Sequence, residues 1–192
     1  MKNTSKEKIL VTGCAGFIGM HLCSSLLESG YLVLGIDNIN EYYDSSLKLN
    51  RLKVLQNYEA FSFEKIDITD SIKLNNYFKI NKPEKVVNLA AQAGVRNSIT
   101  NPNSYIQSNV VGFMNILEAC RHNDVKGLIY ASTSSVYGGN NIVPFVETHK
   151  VENPTSIYAA TKKSNELMAR SYYNLFGLKS TGLRFFTVYG PW

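Results

Sequence analysis

The stretch Ile9-Leu10-Val11-Thr12-Gly13-Cys14-Ala15-Gly16-Phe17-Ile18-Gly19 decides the fold. A short apolar run breaks on a glycine, and two more glycines follow at intervals of three. From Phe17 to Leu27 the apolar residues Ile18, Leu22 and Leu26 recur at helical spacing, and Gly30 provides the stop. Tyr31 to Ile36 is a second buried run, closed by Asp37-Asn38. Strand, glycine turn, helix, strand is the opening unit of a parallel sheet.

The same alternation continues outward. Leu47, Leu52 and Leu55 mark a helix, residues 61–66 a strand, 71–80 a helix and 85–90 a strand after Pro83. A long helix is expected over 104–121, a strand over 127–132, a second long helix over 156–176 and a sixth strand over 179–185. Six such units predict an α/β protein, a doubly wound parallel sheet with helices on both faces. Residues 133–155, rich in Gly, Asn, Thr and Pro, read as an active-site loop.

Composition narrows the function classes. With 192 residues, 44% of them hydrophobic, the chain can bury a core and is no disordered tail. Twenty basic residues against fifteen acidic give +5, but Lys and Arg are spread along the chain with no run of five or more like charges, so no nucleic-acid partner is expected. Cys14, Cys23 and Cys120, with His21, His122 and His149, lack metal-ligand spacing, so neither a metal nor a disulfide framework is expected. Met1 to Lys8 has no apolar core of a signal peptide, and no apolar stretch approaches bilayer length; a cytoplasmic protein without a membrane partner is expected.

The glycines carry the first chemistry. Gly13, Gly16 and Gly19 let the backbone turn tightly and approach a pyrophosphate, while the helix N-terminus faces the anion. Asp37 lies eighteen residues beyond Gly19, where a carboxylate accepts hydrogen bonds from an adenosine ribose. It would repel a 2′-phosphate, which favours NAD over NADP. Tyr158 and Lys162 stand four apart on one helix face, where an ammonium is expected to draw the phenol's pKa down from about 10. The phenolate can take a proton from a hydroxyl while hydride leaves the same carbon. Ser132-Thr133-Ser134-Ser135 follows the fifth strand, at the end of the sheet where such folds bind ligands.

Thr12-Gly13-Cys14-Ala15-Gly16-Phe17-Ile18-Gly19, Asn88-Leu89-Ala90-Ala91, Ser135-Val136-Tyr137-Gly138, Tyr158-x-x-x-Lys162 and Leu183–Pro191 jointly resemble the extended short-chain dehydrogenase/reductase family of nucleotide-sugar enzymes, over residues 8–192. Within it, Asp37-Asn38-Ile39-Asn40-Glu41-Tyr42-Tyr43-Asp44 and Ala91-Gln92-Ala93-Gly94-Val95-Arg96 look most like UDP-glucuronate 4-epimerases. The resemblance implies a Rossmann domain that binds NAD over 1–192, cut before a small substrate-binding domain, so that the stretch alone is not expected to turn over substrate. It implies Tyr158 as base, Lys162 as its pKa tuner and ribose ligand, and Thr133 as partner of the substrate hydroxyl. Gly13, Gly16, Phe17, Ile18 and Gly19 would cradle the pyrophosphate, and Asp37, Asn38 and Asn40 would hold the adenosine ribose. Asp67 and Ile68 would meet the adenine, Leu89, Ala90 and Ala91 would line the cofactor, and Asn109 would hold the loop beneath it. Thr187 would face the sugar of a UDP-sugar substrate. Arg96 is a candidate partner for a uronate carboxylate or, equally, a loop tether. The two long helices would pair in a homodimer, although their apolar positions also fit an ordinary core.

Related dehydratases and decarboxylases resemble one another in having a carboxylate directly after the catalytic hydroxyl; here Ser134 and Ser135 stand there. Elimination needs that second acid. The residue set therefore favours a 4-epimerase that oxidises C4 and returns the hydride to the other face. A dehydratase or decarboxylase, or a non-catalytic NAD-binding fragment, is the alternative.

Overall fold

The computed structural model describes residues 6–192; residues 1–5, part of the polar start considered as a signal peptide, lie outside them. The six strands are β1 (Lys8–Thr12), β2 (Leu32–Asp37), β3 (Phe61–Lys65), β4 (Lys85–Asn88), β5 (Gly127–Thr133) and β6 (Ser180–Phe185), all parallel and ordered β3-β2-β1-β4-β5-β6. The chain starts in the middle of the sheet, winds to one edge, crosses back and winds to the other. This is the doubly wound arrangement the alternation predicts. Its reversal falls between β1 and β4, where the strand ends open a crevice.

Side chains alternate between two cores because successive residues of a strand point to opposite faces. Leu10, Leu34 and Val86 join one core with Leu74, Phe78, Ile116 and Leu117. Their neighbours Val11, Val33 and Val87 join the other, with Met20, Cys23, Leu52 and Leu55. Such strands read as continuous apolar runs since neither face meets water.

The helices are α1 (Phe17–Glu28), α2 (Ser45–Leu55), α3 (Ser71–Asn81), two single turns α4 (Asn97–Thr100) and α5 (Pro102–Tyr105), then α6 (Gly112–His122) and α7 (Ile157–Phe176). The uniform helix expected over 104–121 is corrected. It begins earlier, at Pro102, a residue suited to the first helical position, and contains a π-helical stretch, Ile106–Val111, between α5 and α6. Buried Asn109 sits in that stretch, and its backbone carbonyl accepts a hydrogen bond from Asn165 Nδ2 at 2.6 Å, so side-chain bonding accompanies the altered backbone ladder. The fourth strand ends at Asn88 rather than residue 90. Beyond it Ala90 N–H turns to the Thr12 hydroxyl (3.1 Å), which itself donates to Asn88 Oδ1 (2.7 Å). The loop after β5 opens with a 3₁₀ turn, Ser134–Tyr137, before becoming irregular.

Ser156 caps α7, its hydroxyl accepting from Ala159 N–H at 3.0 Å. Ser156→Ala removes that acceptor from the helix that carries Tyr158, and urea unfolding is expected to show a loss of about 1 kcal/mol.

Candidate active site

The crevice deepens into a cavity of about 730 Å³ along the carboxyl ends of the strands. Its floor is the glycine turn. Gly13 has φ +71°, and a Cβ there would stand 2.8 Å from Ala90 N; one on Gly19 would overlap the Gly13 carbonyl. Both positions are closed to any side chain, which brings α1 and the 89–91 segment tight against the turn. The backbone is thus left bare for a ligand to approach, with α1's N-terminus behind it.

At one end of the cavity Asp37 is buried, its carboxylate accepting from Ala15 N–H (3.2 Å) and Ile39 N–H (2.8 Å). Ile39 is held at φ +52°, a costly conformation for a β-branched residue, and the Asp37 contact fixes it. Asn38 donates to Asp67 Oδ2 at 2.8 Å. Burial raises the Asp67 carboxyl, but hydrogen bonds from Asn38 and Thr69 outweigh this and leave it below its ordinary value. Asp44 caps α2, which turns Lys48 and Arg51 inward one turn apart. Lys48 Nζ donates to Asn40 O (3.0 Å) and Asn40 Oδ1 (2.6 Å), and burial lowers its pKa. Arg51 donates to Ala15 O (3.3 Å), to the Tyr43 hydroxyl (2.8 Å) and to Trp192 O.

The other end lies three strand spacings away, about 14 Å. There β5 delivers Thr133 and α7 delivers Tyr158 and Lys162 to the cavity wall. Lys162 is fully buried, donates to Ala131 O at 2.9 Å, and is brought down to about 8 by burial. The expected lowering of the Tyr158 pKa is not found. Burial raises it, with Thr133's hydrogen bond pulling only part of the way back, and the Lys162 ammonium is directed to a backbone carbonyl instead. Behind this wall Glu166 accepts two hydrogen bonds from Arg184 (2.9 and 3.0 Å) and one from Ser132 (2.7 Å). These overcome its burial and keep it ionised. Among the described residues lining the cavity, the carboxylates are therefore Asp37 and Asp67, both at the far end.

All but three of the residues expected at the site from sequence line this one cavity. Asn109 lies behind it, where its side chain accepts from Gln92 N–H (2.8 Å) and donates to Gln92 O (3.0 Å), clamping the 91–93 segment. Thr187 is absent from the wall, where its neighbours Phe186 and Val188 stand. Arg96 is exposed at the start of α4, and among the described residues its side chain makes no hydrogen bond to a loop carbonyl. Sequence reasoning missed Lys48, Arg51, Tyr42 and Tyr105. Tyr42 and Tyr105 both donate to Ala93 O, at 3.1 and 2.7 Å, and the Tyr105 ring meets that of Tyr158 edge-on. The i,i+3 spacing of Lys48 and Arg51 on a weakly apolar helix was the available signal.

Residues 9–192 match the model of the NAD dependent epimerase/dehydratase family. The chain belongs to that family. It is 57% identical over 185 residues to Protein CapI of Staphylococcus aureus and 49% identical over 185 residues to UDP-glucuronate 4-epimerase 3 of Arabidopsis thaliana, in each case over 96% of this chain. These alignments cover 55% and 43% of the relatives, so the chain spans about half the length of the curated relatives it matches. Among solved structures, UDP-glucuronic acid 4-epimerase from Bacillus cereus in complex with UDP-glucuronic acid and NAD superposes with a TM-score of 0.88 at 38% identity, over 96% of this chain and 58% of that one.

Lys162 gives this family member a measurable pH signature. Its folded pKa lies below the unfolded value of about 10.4, so the unfolded chain binds more protons between the two. The burial cost is full below pH 8 and fades as pH rises toward 10.5. Relative to Lys162→Met, the unaltered chain is expected to gain about 2 kcal/mol between pH 7.5 and 10 in parallel denaturant titrations.

Proposed function

We propose that the whole protein is an NAD-dependent UDP-sugar 4-epimerase, acting on UDP-glucuronate and UDP-galacturonate. The observation that carries the reading is one continuous cavity, with a side-chain-free glycine cradle at its floor, Asp37 at one end and Thr133, Tyr158 and Lys162 at the other. The donor set fits a dinucleotide: bare backbone for a pyrophosphate, a buried carboxylate for ribose hydroxyls, and a polar triad at nicotinamide distance. When bound, nicotinamide supplies a reversible store for one hydride.

Tyr158 takes the proton of the C4 hydroxyl as the C4 hydrogen departs as hydride, and returns it when hydride comes back to the opposite face. Thr133 holds the same hydroxyl, and Lys162 binds the ribose beside it. No net redox change results. Absence of a free carboxylate among the described residues around Tyr158 supports epimerisation over elimination, because Glu166 is locked to Arg184 and Ser132. The relatives named for UDP-glucuronate epimerisation support the uronate over a neutral sugar.

The remaining site assignments stand as part of this proposal. Gly16, Phe17 and Ile18 complete the pyrophosphate turn, Asn38 and Asn40 the ribose wall, and Asp67 with Ile68 the adenine edge. Leu89, Ala90 and Ala91 flank the nicotinamide side, held from behind by Asn109. Arg96 and Thr187 would reach the sugar only with help from sequence beyond this cavity. We place the protein in the cytoplasm, where its buried free cysteines meet reducing conditions, in the supply of sugar nucleotides for polysaccharide synthesis. Exposed Leu167, Tyr173 and Leu175 on α7 support a homodimer through the long helices.

An NMR time course with UDP-glucuronate tests the reaction. The whole protein is expected to form UDP-galacturonate, and Tyr158→Phe to slow it by about 10² or more while still binding NAD. A 4-keto, dehydrated or pentose product would refute epimerisation. Undiminished turnover by Tyr158→Phe would remove the proposed base.

A further inference from the structure

Two tyrosines outside the proton transfer reach the same turn of the cavity wall. Tyr105 ends α5 and is wholly buried. Its O–H is shared between Ala93 O and Gly94 O, each at 2.7 Å. Gly94 stands at φ +92°, the left-handed region that favours glycine, and the carbonyls on either side of its Cα meet that one hydroxyl. From the loop after β2, Tyr42 donates to Ala93 O at 3.1 Å. Four residues on from Tyr105, Asn109 clamps Gln92. The 92–94 segment, whose Gln92 and Ala93 line the cavity, is thus gripped at two points from one helical stretch.

The other end of Tyr105 touches the proposed base. Its ring meets that of Tyr158 edge-on, with centroids 6.1 Å apart and planes at 75°. Among the described residues it is the one aromatic ring paired with Tyr158. Lys162, on the same helix as Tyr158, does not hold the phenol, since its ammonium goes to Ala131 O. Thr133, from β5, reaches only the hydroxyl. Tyr158 stands in the first turn of α7, so its ring needs a stop if the hydroxyl is to stay on one atom. We propose that Tyr105 is a positioning residue for Tyr158: anchored through its hydroxyl to the 93–94 turn, its ring is the stop that holds the phenol against Thr133. One residue then sets the base relative to the cofactor wall. Displacing a reacting group by about 1 Å can cost about a hundredfold in rate. The contact also acts electrostatically. Burial raises the Tyr158 phenol most, Thr133's hydrogen bond draws it partly back, and the neighbouring Tyr105 phenol adds a smaller rise.

This inference rests on Tyr158 as the base, and the experiment keeps the two apart. The whole protein is assayed with UDP-glucuronate for kcat and KM across pH. Tyr105→Phe keeps the ring and releases its anchor, so kcat is expected to fall about tenfold with KM held within about threefold. The acid limb of the kcat profile is expected to move to lower pH, because a contribution that raises the Tyr158 phenol is gone. Tyr105→Leu removes both anchor and stop and is expected to lose more than Tyr105→Phe. Unchanged kcat and pH limb in Tyr105→Phe would overturn the positioning role. So would a loss that only matches the fraction of protein unfolded, since a purely structural role moves no pH limb. Should Tyr105→Leu fail to fold, Tyr105→Phe decides alone. Undiminished turnover by Tyr158→Phe would instead overturn the base, and the ring is then read without turnover. In a crystal structure of the NAD⁺-bound whole protein carrying Tyr105→Phe, the Tyr158 ring is expected to leave Thr133; an unmoved ring would overturn the positioning role.

Discussion

The structure depends on the parting of β1 and β4 at their carboxyl ends. Up to Thr12 and Asn88 the two strands are hydrogen-bonded neighbours. Beyond them the chain leaves the sheet in opposite directions, one arm into α1 and the other into the 89–93 segment. The Thr12 hydroxyl bridges the split by donating to Asn88 and accepting from Ala90 N–H. Only a glycine fits at 13, because Ala90 stands against it. Strand order, glycine spacing and cavity floor are therefore one constraint expressed three times.

The cavity's two ends are built by opposite electrostatic means. At the Asp37 end, backbone N–H groups hold the carboxylate and buried cations stand beside it. At the Tyr158 end burial dominates: it raises the phenol and lowers the Lys162 ammonium, so the phenol holds its proton more tightly than the ammonium does. The second layer fixes these groups through Asn109, Thr161 and Asn165, which join the π-helical stretch to α7.

Much of this was legible in the sequence, for physical reasons. Parallel strands buried on both faces appear as unbroken runs such as Val33–Ile36, and glycines that admit no Cβ appear at fixed intervals. The family and most cavity-lining positions were legible because they fall at strand ends. What was hidden depends on packing across long sequence separations. The π-helical stretch around Asn109 depends on partners at Gln92 and Asn165 that no local pattern displays. Lys48 and Arg51 looked like solvated charges on a polar helix, and only the fold turns them inward. The Tyr158–Lys162 spacing picked out two residues that line the cavity but misjudged the pKa, since spacing says nothing of burial or of the Ala131 carbonyl.

The account's central claim is that this cavity holds one extended dinucleotide in a fixed direction. A crystal structure of the chain grown with NAD⁺ tests it most directly. The account predicts the adenosine ribose at Asp37, the pyrophosphate over Gly13 to Gly19, and the nicotinamide beside Thr133, Tyr158 and Lys162. A dinucleotide bound in the reverse sense, with adenosine at Tyr158, or bound outside the cavity, would contradict it.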